Sequence, residues 1–168
     1  MEKLYEHSTF LINRYDHYFD TVNNKGQFYL GLNTFLIGGL GAAYLLLRQQ
    51  QICSNCLDIM LVLLFSISFV SIFFTLRAIL PYLKSGNKPT YTSIIFFGSV
   101  ASLTQEQFVQ KTNTISEADL ENDLIIQTYQ LAKGLAQKFE RLKFAGFFLA
   151  LEFFLLIPFL IILFINIK

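Results

Sequence analysis

The sequence predicts an all-α membrane protein: three transmembrane helices, with cytosolic extensions of the first and third that form a bundle. Three observations predict it. First, 54% of the 168 residues are hydrophobic and 16% aromatic, too apolar for an ordinary soluble domain. Second, three apolar runs are long enough to cross a hydrocarbon core of about 30 Å. They are Phe28–Leu47 without a charge, Leu57–Leu76 with only Asp58 near its end, and Phe144–Ile165 with only Glu152. Third, leucines recur at spacings of four and seven upstream of the last run, a seam that needs a partner helix.

The boundaries follow from these runs. Residues 1–25 are a cytosolic amphipathic helix, 26–80 hold two transmembrane helices and a short outer loop, 81–143 are a cytosolic helical region, and 144–167 are the third span. A polar segment precedes the first run and no small-residue cleavage site follows it, so it is not read as a signal peptide. The segment between the second and third spans carries Arg77, Lys84, Lys88, Lys111, Lys133, Lys138, Arg141 and Lys143, whereas the outer link carries Arg48. This asymmetry places the N-terminus and the central segment in the cytoplasm and the C-terminus outside.

Along residues 1–25, Leu4, Leu11 and Tyr18 repeat every seven, with Tyr15 and Val22 between them. That face either packs on its own protein or pairs with the later seam of Leu120, Leu124, Leu131, Leu135 and Leu142; the two readings are compatible. Asn23, Asn24, Lys25 and Gly26 form a polar knot where the chain enters the bilayer. Anchoring explains it if Lys25 snorkels to headgroups and Tyr29 joins the aromatic belt. A ligand or gating element is the other reading. Asn33 lies inside the span, where an amide must find a partner. Gly38, Gly39 and Gly41 follow, small enough for a helix to approach closely.

The outer link holds Cys53 and Cys56 as a CxxC pair, either a local disulfide or two free thiols. Zinc needs two further ligands, and the histidines, His7 and His17, lie on the other side of the membrane, so no metal site is read. Beyond Pro81, the turn-rich residues 84–93 break any period. Residues 94–103 are apolar but too short to span, so a buried or interfacial segment is expected. Thr104 with Gln107 has the form of a capping box, and Ser116 with Asp119 opens the long helix in the same manner.

Glu152 stands out. It falls nine residues, about 13 Å, past the cytoplasmic edge of the third span, where a carboxyl group is costly and by default functional. A structural hydrogen bond to Asn33 or to a serine of the second span such as Ser71 is the plainer reading. Asn33, Arg77 and Glu152 all fall in the cytoplasmic half of the bilayer, so an intramembrane polar cluster that gates a pore is expected of them. Pro158 beyond is a candidate kink. No phosphate-binding glycine loop, catalytic triad or metal-ligand cluster is present, and Glu117, Asp119, Glu121 and Asp123 spread around their helix. No enzyme, catalytic residue or cofactor is read, and a net charge of +1 gives no reason to expect nucleic-acid binding.

Three stretches together carry a resemblance. NNKGQFYLGLNTF, TSIIFFGSVASLTQEQF and LIIQTYQLAKGLAQKFERLKFA, in that order around the spans, resemble the transmembrane effectors of bacterial Pycsar anti-phage systems. The resemblance implies an inner-membrane, multi-pass effector of abortive infection. A partner cyclase makes cyclic CMP or cyclic UMP on infection, and the effector then compromises the bilayer. The chain shows no cyclic-nucleotide-binding β-roll. For direct binding the candidates are Asn23, Asn24 and Lys25 toward the phosphate, and Tyr91, Phe96 and Phe97 toward the base. The seams at both ends favour a homo-oligomer, because three spans from one protomer are few for a pore. A non-enzymatic accessory or scaffold subunit of a membrane complex is the alternative; it predicts no leakage with any ligand and co-purification with a partner. A small transporter built around Glu152 is a third.

Overall fold

The computed structural model describes residues 2–50, 55–81 and 93–167, and 91% of it is helical, with no strand among the described residues. The helices are α1 (Glu2–Gln49), α2 (Asn55–Ile79), α3 (Phe97–Val100), α4 (Gln105–Thr114) and α5 (Glu117–Ile167). Of these, α1, α2 and α5 are long and apolar enough to cross a membrane. The expected all-α bundle with three spans and helical extensions is what forms. No break falls at the Asn23–Gly26 knot, and α5 runs on through Pro158, whose ring nitrogen offers no N–H to the carbonyl four residues back.

The chain divides into two compact units. One gathers Met1–Asp20 with Pro81–Ala136. Its α5 segment buries Leu124, Thr128 and Leu135, with Leu120 and Leu131 half-buried, so the leucine seam is an inward face. Helix starts follow the chemistry read from sequence. Thr104 Oγ1 accepts from Gln107 N–H at 3.2 Å and Thr104 N–H donates to Gln107 Oε1 at 3.0 Å, a complete capping box. Ser116 Oγ accepts from Asp119 N–H at 3.1 Å but donates its own proton to Asp119 Oδ2 at 2.6 Å, so this cap closes through the hydroxyl instead. A buried carboxylate ties the segment before α3. Asp123 Oδ2 accepts from Ser93 Oγ and from Ile94 N–H, both at 2.9 Å, while Ser93 Oγ accepts from Ile95 and Phe96 N–H at 3.1 and 2.9 Å. The apolar run 94–103 is therefore held by polar anchoring rather than by burial throughout: Ile95 and Phe97 stand exposed.

The other unit is Thr21–Leu80 with Gln137–Lys168, a three-helix bundle. Its inward positions repeat every seven residues, alternating steps of three and four. They are Val22, Gly26, Asn33, Leu36, Leu40 and Leu47 on α1 and Leu57, Leu61, Leu64, Ser68, Ser71, Thr75 and Ala78 on α2. On α5 they are Lys138, Leu142, Ala145, Leu149, Glu152, Phe159 and Leu163. A sustained 3.5-residue repeat keeps one stripe of each helix facing its neighbours, as in a coiled coil. Lipid supplies no hydrophobic drive between such helices, so small residues and polar contacts must hold them together. Two glycines serve as close approaches. A Cβ on Gly26 would lie 2.6 Å from Ile79 Cγ1, and one on Gly146 3.0 Å from the Tyr29 hydroxyl. Gly38, Gly39 and Gly41, expected to admit a neighbour, have nothing within 4 Å of such an atom, because they lie off this stripe.

Candidate functional site

The bundle's seam changes character along its length. At the end bearing the α1–α2 link, Leu40, Leu47, Leu57, Leu61, Leu64, Phe159 and Leu163 form one continuous apolar core. Toward the opposite end the same stripe turns polar: Asn33, Ser68, Ser71, Thr75 and Glu152 are each fully buried. Ser68, Ser71 and Thr75 sit at steps of three and four on α2, which stacks their hydroxyls one above another on the inward face.

One relay crosses all three helices. Asn33 on α1 donates both amide protons, to its own helix at Tyr29 O (2.8 Å) and across to Ser71 Oγ on α2 (3.1 Å). Ser71 Oγ donates onward to Ala145 O on α5 at 3.1 Å. One turn away, Ser68 Oγ lies against Leu64 O at 3.1 Å and makes a short hydrogen bond with Glu152 Oε1. Thr75 Oγ1 donates to Ser71 O at 2.8 Å. Two acceptors are left over: Asn33 Oδ1 and Glu152 Oε2 are buried with no hydrogen-bond partner among the described residues. Buried polar atoms without partners are rare and costly.

The structure thus brings Asn33 and Glu152 into neighbouring links of one ladder, through Ser71 and Ser68. It leaves Arg77 out. Arg77 is exposed, with its guanidinium 5.6 Å from the centre of the Phe73 ring, and it lies nine residues along α2 from Ser68. A heptad stripe explains this: position 77 faces away from the positions that 71, 75 and 78 occupy.

Arg77 contributes through its backbone instead. Its carbonyl would look to the N–H of residue 81, which is a proline and has none. Arg141 Nη1 donates to that carbonyl at 2.9 Å, and Lys138 Nζ donates to Ala78 O at 2.7 Å and Ile79 O at 2.8 Å. Two cations of α5 therefore cap the carboxyl end of α2, where the helix dipole is negative. Lys138 is only 4% exposed. Burial, and then the adjacent Arg141 charge, hold its ammonium below the ordinary lysine range.

The remaining predicted residues are dispersed. Asn24 and Lys25 are exposed on α1, and Asn23 is half-buried, with its Oδ1 enclosed and unpartnered among the described residues. Phe96 is half-buried and Phe97 exposed in the unit that contains α3. Tyr91 and Cys53 lie outside the described residues, and with Cys53 so does any pairing to Cys56, which is exposed. At the link, Arg48 and Asp58 form a half-exposed ion pair at 3.7 Å. Ser68, Thr75, Lys138 and Arg141 were not singled out from sequence. The signal was there for the first three, since each continues the heptad register of the leucines around it.

A bundle of three long apolar helices with a polar seam in one half defines a multi-span membrane protein. The model of the Pycsar effector protein domain matches residues 7–166, and the chain belongs to that family, with a role in a Pycsar anti-phage system. Comparisons with curated proteins and with solved structures find no match.

Proposed function

We propose that this protein is a membrane-disrupting effector of abortive infection, acting as a homo-oligomer and triggered by cyclic CMP or cyclic UMP from its partner cyclase. The observation that carries the reading is the two-part seam. A ladder of buried oxygens through Thr75, Ser71, Asn33, Ser68 and Glu152 ends against an apolar plug of Leu40, Leu61, Leu64 and Phe159. Such a bundle is closed at rest, because the plug admits no ion. On this reading a path opens only when several protomers assemble, since three spans are few for a pore.

The lysine and arginine distribution supports a cytoplasmic N-terminus and central segment, and on that reading the ladder lies toward the side on which a cyclase works. The ligand reading assigns the phosphate to Asn23, Asn24 and Lys25 and the base to Tyr91, Phe96 and Phe97.

Dye release from liposomes carrying the purified protein tests the reading, with each cyclic mononucleotide added in turn. Release with a cyclic pyrimidine nucleotide, and none with its linear form, is expected. Glu152→Leu should abolish release, and Asn24→Ala with Lys25→Ala should shift its nucleotide dependence. Silence with every nucleotide in correctly inserted protein would transfer the weight to an accessory-subunit role.

A further inference from the structure

We infer that the outer face shared by α2 and α5, at the capped end of α2, is a binding site for an anionic phospholipid. Its headgroup phosphate is held by Arg77 and Arg141, and an acyl chain lies on the phenylalanine rings below them. The argument begins with how the two helices pair. Ser68 meets Glu152, Phe74 meets Phe144, and Arg77 meets Arg141, so α2 and α5 run in opposite directions. Phe74 lies between Phe144 and Phe148, with ring centres 5.6 and 5.8 Å away and the second pair stacked at 9°. Arg77 stands three residues after Phe74, and Arg141 three residues before Phe144. Residues three apart are neighbours on one helix face. Because the helices are antiparallel, both steps lead to the same end of the bundle. The arginines therefore flank one groove, a turn beyond rings that already touch. Two contacts agree with this placement: Arg141 Nη1 donates to Arg77 O at 2.9 Å, and the Arg77 guanidinium lies 5.6 Å from the centre of the Phe73 ring.

Charge selects the class of occupant. At this end of the unit stand Lys25, Arg77, Lys138, Arg141 and Lys143, against a single acid, Glu140. Residues 82–92 add Lys84 and Lys88 to the sequence and no acid. Neither arginine pairs with an acid among the described residues, whereas Arg48, at the other end of the same unit, is paired with Asp58. Each guanidinium carries five N–H donors in a planar fork suited to a phosphate, and Arg141 gives one of them to the Arg77 carbonyl.

Depth selects the source of the phosphate. Phe73 and Phe144 are about half exposed, at 52% and 47%, on the outside of a bundle of membrane-spanning helices. Those surfaces face acyl chains, and arginines at the end of a span reach the headgroup level. A soluble phosphate would meet the guanidinium groups and leave the rings uncovered. A phospholipid covers both. The bias of basic residues toward one side of a membrane accounts for how many cations gather here, but not for two arginines over one ring stack. The inference rests on the membrane location alone and needs neither the nucleotide trigger nor a pore.

Native mass spectrometry of the purified full chain in detergent tests it, titrating phosphatidylglycerol or phosphatidylcholine of equal chain length. Wild-type protein is expected to bind the first phosphatidylglycerol about tenfold more tightly than phosphatidylcholine, the effect of one charge-assisted contact. Arg77→Gln and Arg141→Gln are each expected to remove that preference. Lys143→Gln deletes the same charge at nearly the same depth, but two residues along α5 from Arg141 and so on another face, and it should keep the preference. Glycerophosphoglycerol, the same headgroup without acyl chains, should fail to displace the bound lipid at equal concentration. Equal binding of the two lipids to wild-type protein would overturn the inference without recourse to any variant. So would an equal loss in Lys143→Gln, which would leave only diffuse charge. Displacement by glycerophosphoglycerol would overturn it too, since the site would then serve a soluble phosphodiester.

Discussion

Lys138→Met tests the cap on α2 directly. Methionine keeps the length and the apolar stem of lysine and removes the ammonium. Among the described residues the last backbone bond at this end runs from Leu80 N–H to Leu76 O at 2.9 Å, and Pro81 has no N–H for the Arg77 carbonyl, so donors from α5 serve the carbonyls of Arg77, Ala78 and Ile79. Lys138 serves two of them, at 2.7 and 2.8 Å. A hydrogen bond to a charged group contributes a net ~1.5–3 kcal/mol, and a buried carbonyl left alone costs about 1–3 kcal/mol. Against that, methionine avoids the cost of burying an ammonium that is only 4% exposed. The balance is a loss of about 2–4 kcal/mol, which corresponds to a midpoint lowered by about 5–12 °C in a chain of this size. Arg141→Met removes one bond at a more exposed position and should cost about 0.5–1.5 kcal/mol. Melting of the purified protein in detergent, followed by circular dichroism, measures both. A Lys138→Met midpoint within about 2 °C of wild type would refute the cap as a stabilising contact. Equal losses at the two positions would refute the ranking by burial.

Other substitutions probe separate links of the argument. Gly26→Val should destabilise by about 1–3 kcal/mol, because its Cβ would meet Ile79 at 2.6 Å, and Ile79→Ala in the same chain should recover much of the loss; melting of the double variant decides. Gly38→Ala meets nothing within 4 Å and should leave the midpoint unchanged or raise it by a few degrees, as alanine is worth up to ~1 kcal/mol over glycine in a helix. A large loss of stability there would show that a neighbour covers this face. Ser71→Ala breaks the relay between Asn33 and Ala145 and should cost about 1–2 kcal/mol. Asp123→Ala frees Ser93 and the Ile94 amide; hydrogen exchange at Ile94 and Phe96 should accelerate at least tenfold while α4 amides keep their protection.

Several features were legible in the sequence because they rest on local chemistry. Hydrocarbon thickness demands about twenty apolar residues per span, and three such runs are written plainly. The Thr104 and Ser116 caps need only residues three apart. The leucine seam before the third span follows from spacing alone. Glu152 announces itself by being the one charge in its run.

Rotation about each helix axis required the tertiary structure. Length and hydropathy say that Arg77 and Asn33 share a depth, but depth does not say which way a side chain points. The packing of three seams sends Arg77 outward and brings Ser68 to Glu152 and Ser71 to Asn33. Glycines show the same division: Gly38, Gly39 and Gly41 look like a contact face in the sequence, whereas Gly26 and Gly146 are where helices meet. Lys138 reads as one more cytoplasmic charge until the end of α2, deprived of a donor by Pro81, is placed beside it. The sequence by itself determined the number, length and amphipathic period of the helices, since these follow from backbone hydrogen bonding and transfer to lipid. Only the tertiary structure decided which polar atoms face one another, because that depends on how three stripes interlock.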